Sequence, residues 1–230
     1  MKIAILIADY VNTEFLPIAG DLSDIFQRFF SDYPAYTLHS YAVWQNQFPI
    51  IEHYDVFVIT GSRFSIFDEF DWLQQLKQLV KDALAQQRKV IGFCFGHQLL
   101  AHVLGGEVEP FPDGRGNYGL HDLCVIQNAN WMQPKPNNLK LLFNHKYSVK
   151  KLPEHMRILA ATSDYIQLFT DKHLALGLQA HPEYSVEYQK KIMGDNESIT
   201  PYQKPDASNI KILSESVSVM QQWLYGFLKS

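Results

Sequence analysis

Apolar runs and apolar stripes alternate along the first hundred residues. Ile3-Ala4-Ile5-Leu6-Ile7-Ala8 is a run of strand length that stops at Asp9. Residues 21–30 then place Leu22, Ile25, Phe26, Phe29 and Phe30 at helical spacing. Residues 36–43 are β-prone, and Val56-Phe57-Val58-Ile59 is a second buried run, ending at Thr60-Gly61-Ser62. Trp72, Leu73, Leu76, Leu79, Val80, Ala83 and Leu84 mark a long amphipathic helix. Val90-Ile91-Gly92-Phe93 is a short strand that leads at once into a helical stretch from Phe95 to Leu104, stopped by Gly105-Gly106. Strands buried on both faces, separated by helices, predict an α/β fold with a central, mostly parallel sheet flanked by helices.

The second half changes character. Residues 107–138 carry many Gly, Pro and Asn, with a strand expected over Leu123–Ile126. Residues 139–143, 157–161, 165–170 and 174–179 read as closely spaced strands, partly antiparallel, which adds a small antiparallel sheet. The polar stretch 189–209, with Gly194, Pro201 and Pro205, is expected to be a loop or lid. Leu213, Val217, Met220, Leu224 and Phe227 then share one face of a C-terminal helix over 210–230. No repeat and no linker divides the chain, so residues 1–230 are expected to form one domain.

Composition narrows the function classes. The 230 residues are 47% hydrophobic and 19% charged with a formal charge of -4, ordinary for a folded globular chain. No basic stripe is present, so nucleic acid is not an expected partner. No apolar stretch approaches the roughly 20 residues of a membrane helix, and the N-terminal run lacks a cleavage site, which points to the cytoplasm. Two cysteines, Cys94 and Cys124, make no disulfide framework. No His, Cys, Asp and Glu set has metal-ligand spacing, so neither metal nor cofactor is expected.

The segment Gly92-Phe93-Cys94-Phe95-Gly96 places Cys94 at a strand-to-helix junction, with glycine two positions before and two after. A turn this sharp strains the backbone of its central residue and closes only if the neighbours are small. The thiol then projects from the tip, at a helix N-terminus that favours the thiolate. The N–H of Phe95 is left free to stabilise an oxyanion. Cys124, inside an apolar strand without glycines, reads as a small buried hydrophobe.

Here the sequence resembles the class I glutamine amidotransferases. Gly92-Phe93-Cys94-Phe95-Gly96-His97-Gln98 is similar to their nucleophile motif, and Gln179-Ala180-His181-Pro182-Glu183 to their His-x-Glu motif. Asp71-Trp72-Leu73 and Leu104-Gly105-Gly106 resemble the stand-alone, GMP-synthase-like subgroup. The resemblance spans roughly residues 1–190 and implies a flavodoxin-like arrangement of the sheet. It implies Cys94 as nucleophile, His181 as base and Glu183 as the group that orients His181. Gly61 would supply the second oxyanion N–H beside Phe95. Gln98 would orient the substrate, and the segment Asn144-His145-Lys146-Tyr147 would hold its α-amino and α-carboxyl groups.

Residues i and i+2 of an extended segment share a face, so Glu183 can reach the imidazole of His181. The expected chemistry is hydrolysis of the γ-carboxamide of glutamine through a glutamyl thioester, releasing ammonia. No segment resembles an ATP-pyrophosphatase domain, so an ammonia acceptor would be a separate synthetase subunit. Two other readings use the same residues: a γ-glutamyl peptide hydrolase, and a non-catalytic regulatory module on this fold. His97 and His102 read as packing or capping residues.

Overall fold

The computed structural model describes residues 1–33, 35–112, 114, 116–194 and 207–230. In chain order its strands and helices are β1 (Lys2–Ile7), α1 (Leu16–Ala19), α2 (Leu22–Phe29), β2 (Thr37–Ala42), β3 (Val56–Ile59), α3 (Asp71–Ala85), β4 (Lys89–Phe93), α4 (Phe95–Val103), β5 (Glu107–Pro110), β6 (Asn117–Cys124), β7 (Asn138–His145), β8 (Tyr147–Lys151), β9 (Arg157–Ala161), β10 (Ile166–Thr170), β11 (Ala175–Leu178), α5 (Val186–Met193) and α6 (Ala207–Lys229). The main sheet has the order β2-β1-β3-β4-β11-β10-β8-β5, with β9 also paired to β10. From β2 to β11 every pairing is parallel, and beyond β11 the pairings are antiparallel. β6 and β7 form a separate antiparallel pair. The expected α/β sheet and a small antiparallel companion are both present, but of the strands expected in the second half only that over 139–143 joins the companion, while those over 157–161, 165–170 and 174–179 extend the main sheet.

The apolar runs are buried on both faces because helices cover both. Ile3, Ile5, Val58, Ile91 and Phe93 pack in one core with Phe26 of α2 and Trp223, Leu224 and Phe227 of α6. Ala4, Leu6, Phe57, Ile59 and Val90 face the other way, against Leu73, Leu76 and Val80 of α3 and Leu99 and Leu100 of α4. Asp21 caps α2 through a reciprocal bond with Asp24, which sets where that amphipathic stripe starts. Lys89, at the start of β4, donates to the backbone carbonyls of Phe227 and Ser230 and so closes the carbonyl end of α6.

Several boundaries differ from expectation. The expected loop 189–209 contains the end of α5, capped by Ser185, and the first turn of α6, while residues 195–206 lie outside the described residues. Gln189 is buried and donates to the carbonyl of Phe143, which is why this polar stretch can be helical. The strand expected at Leu123–Ile126 runs instead from Asn117 to Cys124, where glycine-rich sequence is held straight by eight residue pairs with β7. Cys124 is half-buried at the end of that strand rather than enclosed.

Candidate active site

Cys94 closes β4 and caps α4 at φ 49°, ψ −99°, a left-handed conformation that L side chains rarely adopt. Steric reasons for the flanking glycines are direct. A Cβ on Gly92 would lie 2.2 Å from the carbonyl oxygen of Gly96, and one on Gly96 would lie 2.5 Å from the carbonyl oxygen of Ile59. The two glycines let the chain reverse on itself and let α4 press against β3.

Strand order then assembles the neighbours. β4 lies between β3 and β11, so the segments leaving those two strands flank the tip of the turn. From β3 comes Gly61, where a Cβ would stand 2.8 Å from Cε1 of His181. From β11 comes the segment carrying His181, whose backbone N–H donates to Leu142 at 2.7 Å. Cys94 and His181 line the same cavity, near enough for the sulfur to act on the imidazole through its charge and hydrogen bonding. Nδ1 of the His181 ring lies 2.7 Å from Oε1 of Glu183, whose side chain is fully buried. The ring of Tyr184 stacks on that of His181, with centroids 4.1 Å apart and planes 10° from parallel.

Electrostatics favour a charged imidazole. Burial pushes His181 down, but the charges of Cys94 and Glu183 and their hydrogen bonds outweigh it and raise its pKa to about 10. The arrangement can therefore store a proton on His181 beside the sulfur.

The remaining expected residues converge on the same place. A cavity of about 370 Å³ is lined by Cys94, Gly61, Gln98, Asn144, His145, Lys146, Tyr147 and His181. Gln98 is buried, and its amide donates to the carbonyl of Tyr147 and to Oε1 of Gln179. The carbonyl of Asn144 lies 3.5 Å from Sγ of Cys94. His145 is buried and bonds through Nδ1 to the carbonyl of Tyr147, and burial lowers its pKa to about 3. Phe95 sends its ring into the core beside Trp72, so only its backbone faces the turn. Its N–H, at the first helical position, has no acceptor within the helix. His97 is enclosed, with Nε2 against the carbonyl of Ile166, and serves packing.

Sequence reasoning passed over part of the cavity: Asp9, Tyr10, Asn12 and Phe15 after β1, Ser62 and Arg63 after β3, and Tyr184, Tyr188 and Ile192 at or near α5. One signal was there to read. Asp9 is a charged residue at the carboxyl end of a buried parallel strand, where open sheets place their ligands. Among the described residues no three His, Cys, Asp or Glu side chains cluster to hold a metal, and no helix is long and apolar enough to cross a membrane.

A family model described as glutamine amidotransferase class-I matches residues 21–200. Gamma-glutamyl peptidase 4 of Arabidopsis thaliana is 34% identical over 154 residues, which cover 64% of this chain and 61% of that protein. A glutamine-hydrolyzing GMP synthase subunit from Methanocaldococcus jannaschii is 34% identical over 128 residues, 53% of this chain and 65% of that protein. The chain thus spans less than two thirds of the length of either relative. The crystal structure of a glutamine amidotransferase from Thermotoga maritima shares the fold, with a TM-score of 0.78 over 99% of both chains at 20% identity.

Proposed function

We propose, from the premise that the chain belongs to the class-I glutamine amidotransferase family, that it hydrolyses the γ-amide of a γ-glutamyl substrate, glutamine in the simplest case. The observation that carries this reading is that Cys94, at a positive φ, and His181 line one cavity, with Glu183 on Nδ1 of the imidazole. The Cys94 thiolate attacks the γ-carbonyl carbon, and the N–H groups of Gly61 and Phe95 bind the resulting oxyanion. The C–N bond breaks as His181 gives its proton to the leaving nitrogen. Water then attacks the thioester with His181 as base, releasing glutamate and restoring the thiolate–imidazolium pair. Gln98 and the segment Asn144–Tyr147 hold the glutamyl end.

Two substrate classes suit this chemistry. With glutamine, ammonia is released, and the similarity to a GMP synthase subunit supports a separate acceptor protein. With a γ-glutamyl peptide, an amino acid or peptide is released. The cavity favours the second class, because its lining takes in Tyr184, Tyr188 and Ile192 besides His181. Incubation with glutamine and with γ-glutamyl dipeptides, followed by acid quenching and mass spectrometry, tests the reading. A glutamyl adduct on Cys94 and product from at least one substrate are expected, with neither in Cys94→Ala. Absence of both product and adduct across the panel, or no labelling of Cys94 by a glutamine-like diazo-ketone, would leave a non-catalytic module as the better account.

A further inference from the structure

We propose that the cavity wall on the His181 side, formed by Tyr10, Arg63, Tyr184 and Tyr188, is a subsite for the leaving amine. We further propose that it selects a leaving group carrying its own carboxylate, bound by Arg63. The proposal rests on the γ-glutamyl hydrolase reading above and narrows its substrate class to γ-glutamyl amino acids or peptides with a free C-terminus.

Direction comes first. The leaving nitrogen must accept its proton from His181, so it departs on the side where that ring lies. The reading above gives the glutamyl end to Gln98 and the segment Asn144–Tyr147, where the carbonyl of Asn144 lies against the sulfur and that of Tyr147 against the Gln98 amide. Beyond His181 the wall is Tyr184, stacked on the imidazole, and then Tyr188, edge-on to Tyr184 at 4.9 Å. Ammonia would leave this wall untouched.

Arg63 is the cation of that wall. Its Nε bonds Asp9 at 3.0 Å, Nη1 bonds Oδ1 of Asn12 at 3.1 Å, and Nη2 bonds the carbonyl of Tyr10 at 2.7 Å. A guanidinium has five N–H groups, so these three bonds leave one on each terminal nitrogen. Its plane is held over the ring of Tyr10 at 4.3 Å, and 44% of the side chain is exposed. Asp9, nearly buried, pairs with Nε, so the N–H groups left over are those on the two terminal nitrogens of a part-exposed side chain. This is a preorganised carboxylate receptor. Lys146, which also lines the cavity, is exposed. A γ-glutamyl amino acid has a carboxylate at each end to match two cations, whereas glutamine has one.

Arg63 also ties the loop after β3 to the loop after β1, so its replacement can disturb the oxyanion donor as well. A ratio of two substrates cancels that shared loss. For the wild type, kcat/KM for γ-glutamyl-alanine is expected to exceed that for γ-glutamyl-alaninamide by at least about tenfold, the scale of a charge-assisted pair. Arg63→Gln should bring the ratio to within about twofold of one, and Arg63→Lys should restore part of it. A wild-type ratio near one, or a ratio unchanged in Arg63→Gln, overturns the proposal. Turnover of glutamine with neither dipeptide cleaved also overturns it while leaving the hydrolase reading intact. Calorimetry on Cys94→Ala separates recognition from chemistry. Arg63-dependent preference for the free dipeptide is expected there, and equal binding of both dipeptides counts against the subsite.

Discussion

Strain and charge meet at two side chains. Cys94 holds its backbone where glycine is comfortable and other residues are not, and such positions cost about 1–3 kcal/mol. Cys94→Ala keeps that cost and removes the sulfur, so the variant should fold and show no turnover. Cys94→Gly relieves it and should be more stable than Cys94→Ala by about 1 kcal/mol, less any gain in unfolded-chain freedom, as read by urea unfolding. Equal stability would mean the turn is not strained. For His181, the raised pKa of about 10 means that the imidazolium persists through neutral pH and is lost as pH rises through that value. The alkaline limb of kcat/KM should therefore fall near pH 10. Glu183→Gln removes a negative charge from the far nitrogen, so the limb should move to lower pH. It should also cost less in kcat/KM than His181→Ala, because orientation is secondary to proton transfer. Both residues were legible in sequence because a turn and an i, i+2 pair are local patterns. Arg63, Tyr184 and Tyr188 were not, because their meaning depends on which loops the sheet brings together.

Among elements, the junction of β4 and α4 is the least tolerant. Gly96→Ala would drive a methyl group into the carbonyl of Ile59, and backbone cannot move aside as a flexible side chain can. A loss of about 3 kcal/mol is expected from overpacking, with a fall in activity as α4 lifts from β3. Wild-type stability and activity in that variant would contradict the close approach of helix and strand. Element prediction succeeded where periodicity was strong: β3 and β9 match their expected ranges, and α3 differs by a residue at each end. It failed for β8, which follows β7 after one residue. It failed again for α5, whose buried polar Gln189 donates to the distant carbonyl of Phe143. In both cases a distant partner supplies what the local pattern lacks.

For the whole molecule, buried histidines set the acid limit. Burial lowers His97 to about 4 and His145 to about 3, below the ordinary value of 6.5. Groups lowered in the folded state contribute stability that is complete above about pH 6.5 and is lost as pH falls through the folded values. The urea midpoint should therefore drop between pH 6.5 and pH 4, by on the order of 3 kcal/mol in stability from His97 alone. A flat midpoint across that range would show that these rings are not buried neutral. Strand order was the least legible feature, because nothing in β4 announces that its partner is β11. Gln98 and Gln179, which bond across that seam, are 81 positions apart. A ribosome releasing about 5–20 residues per second would therefore expose the first four strands for several seconds before their missing neighbour emerged. Until then β4 is an open edge that invites foreign strands. The nascent chain should accordingly depend on chaperone cover over that interval, and its thiol should stay unreactive toward glutamine mimics until synthesis has passed the segment of His181.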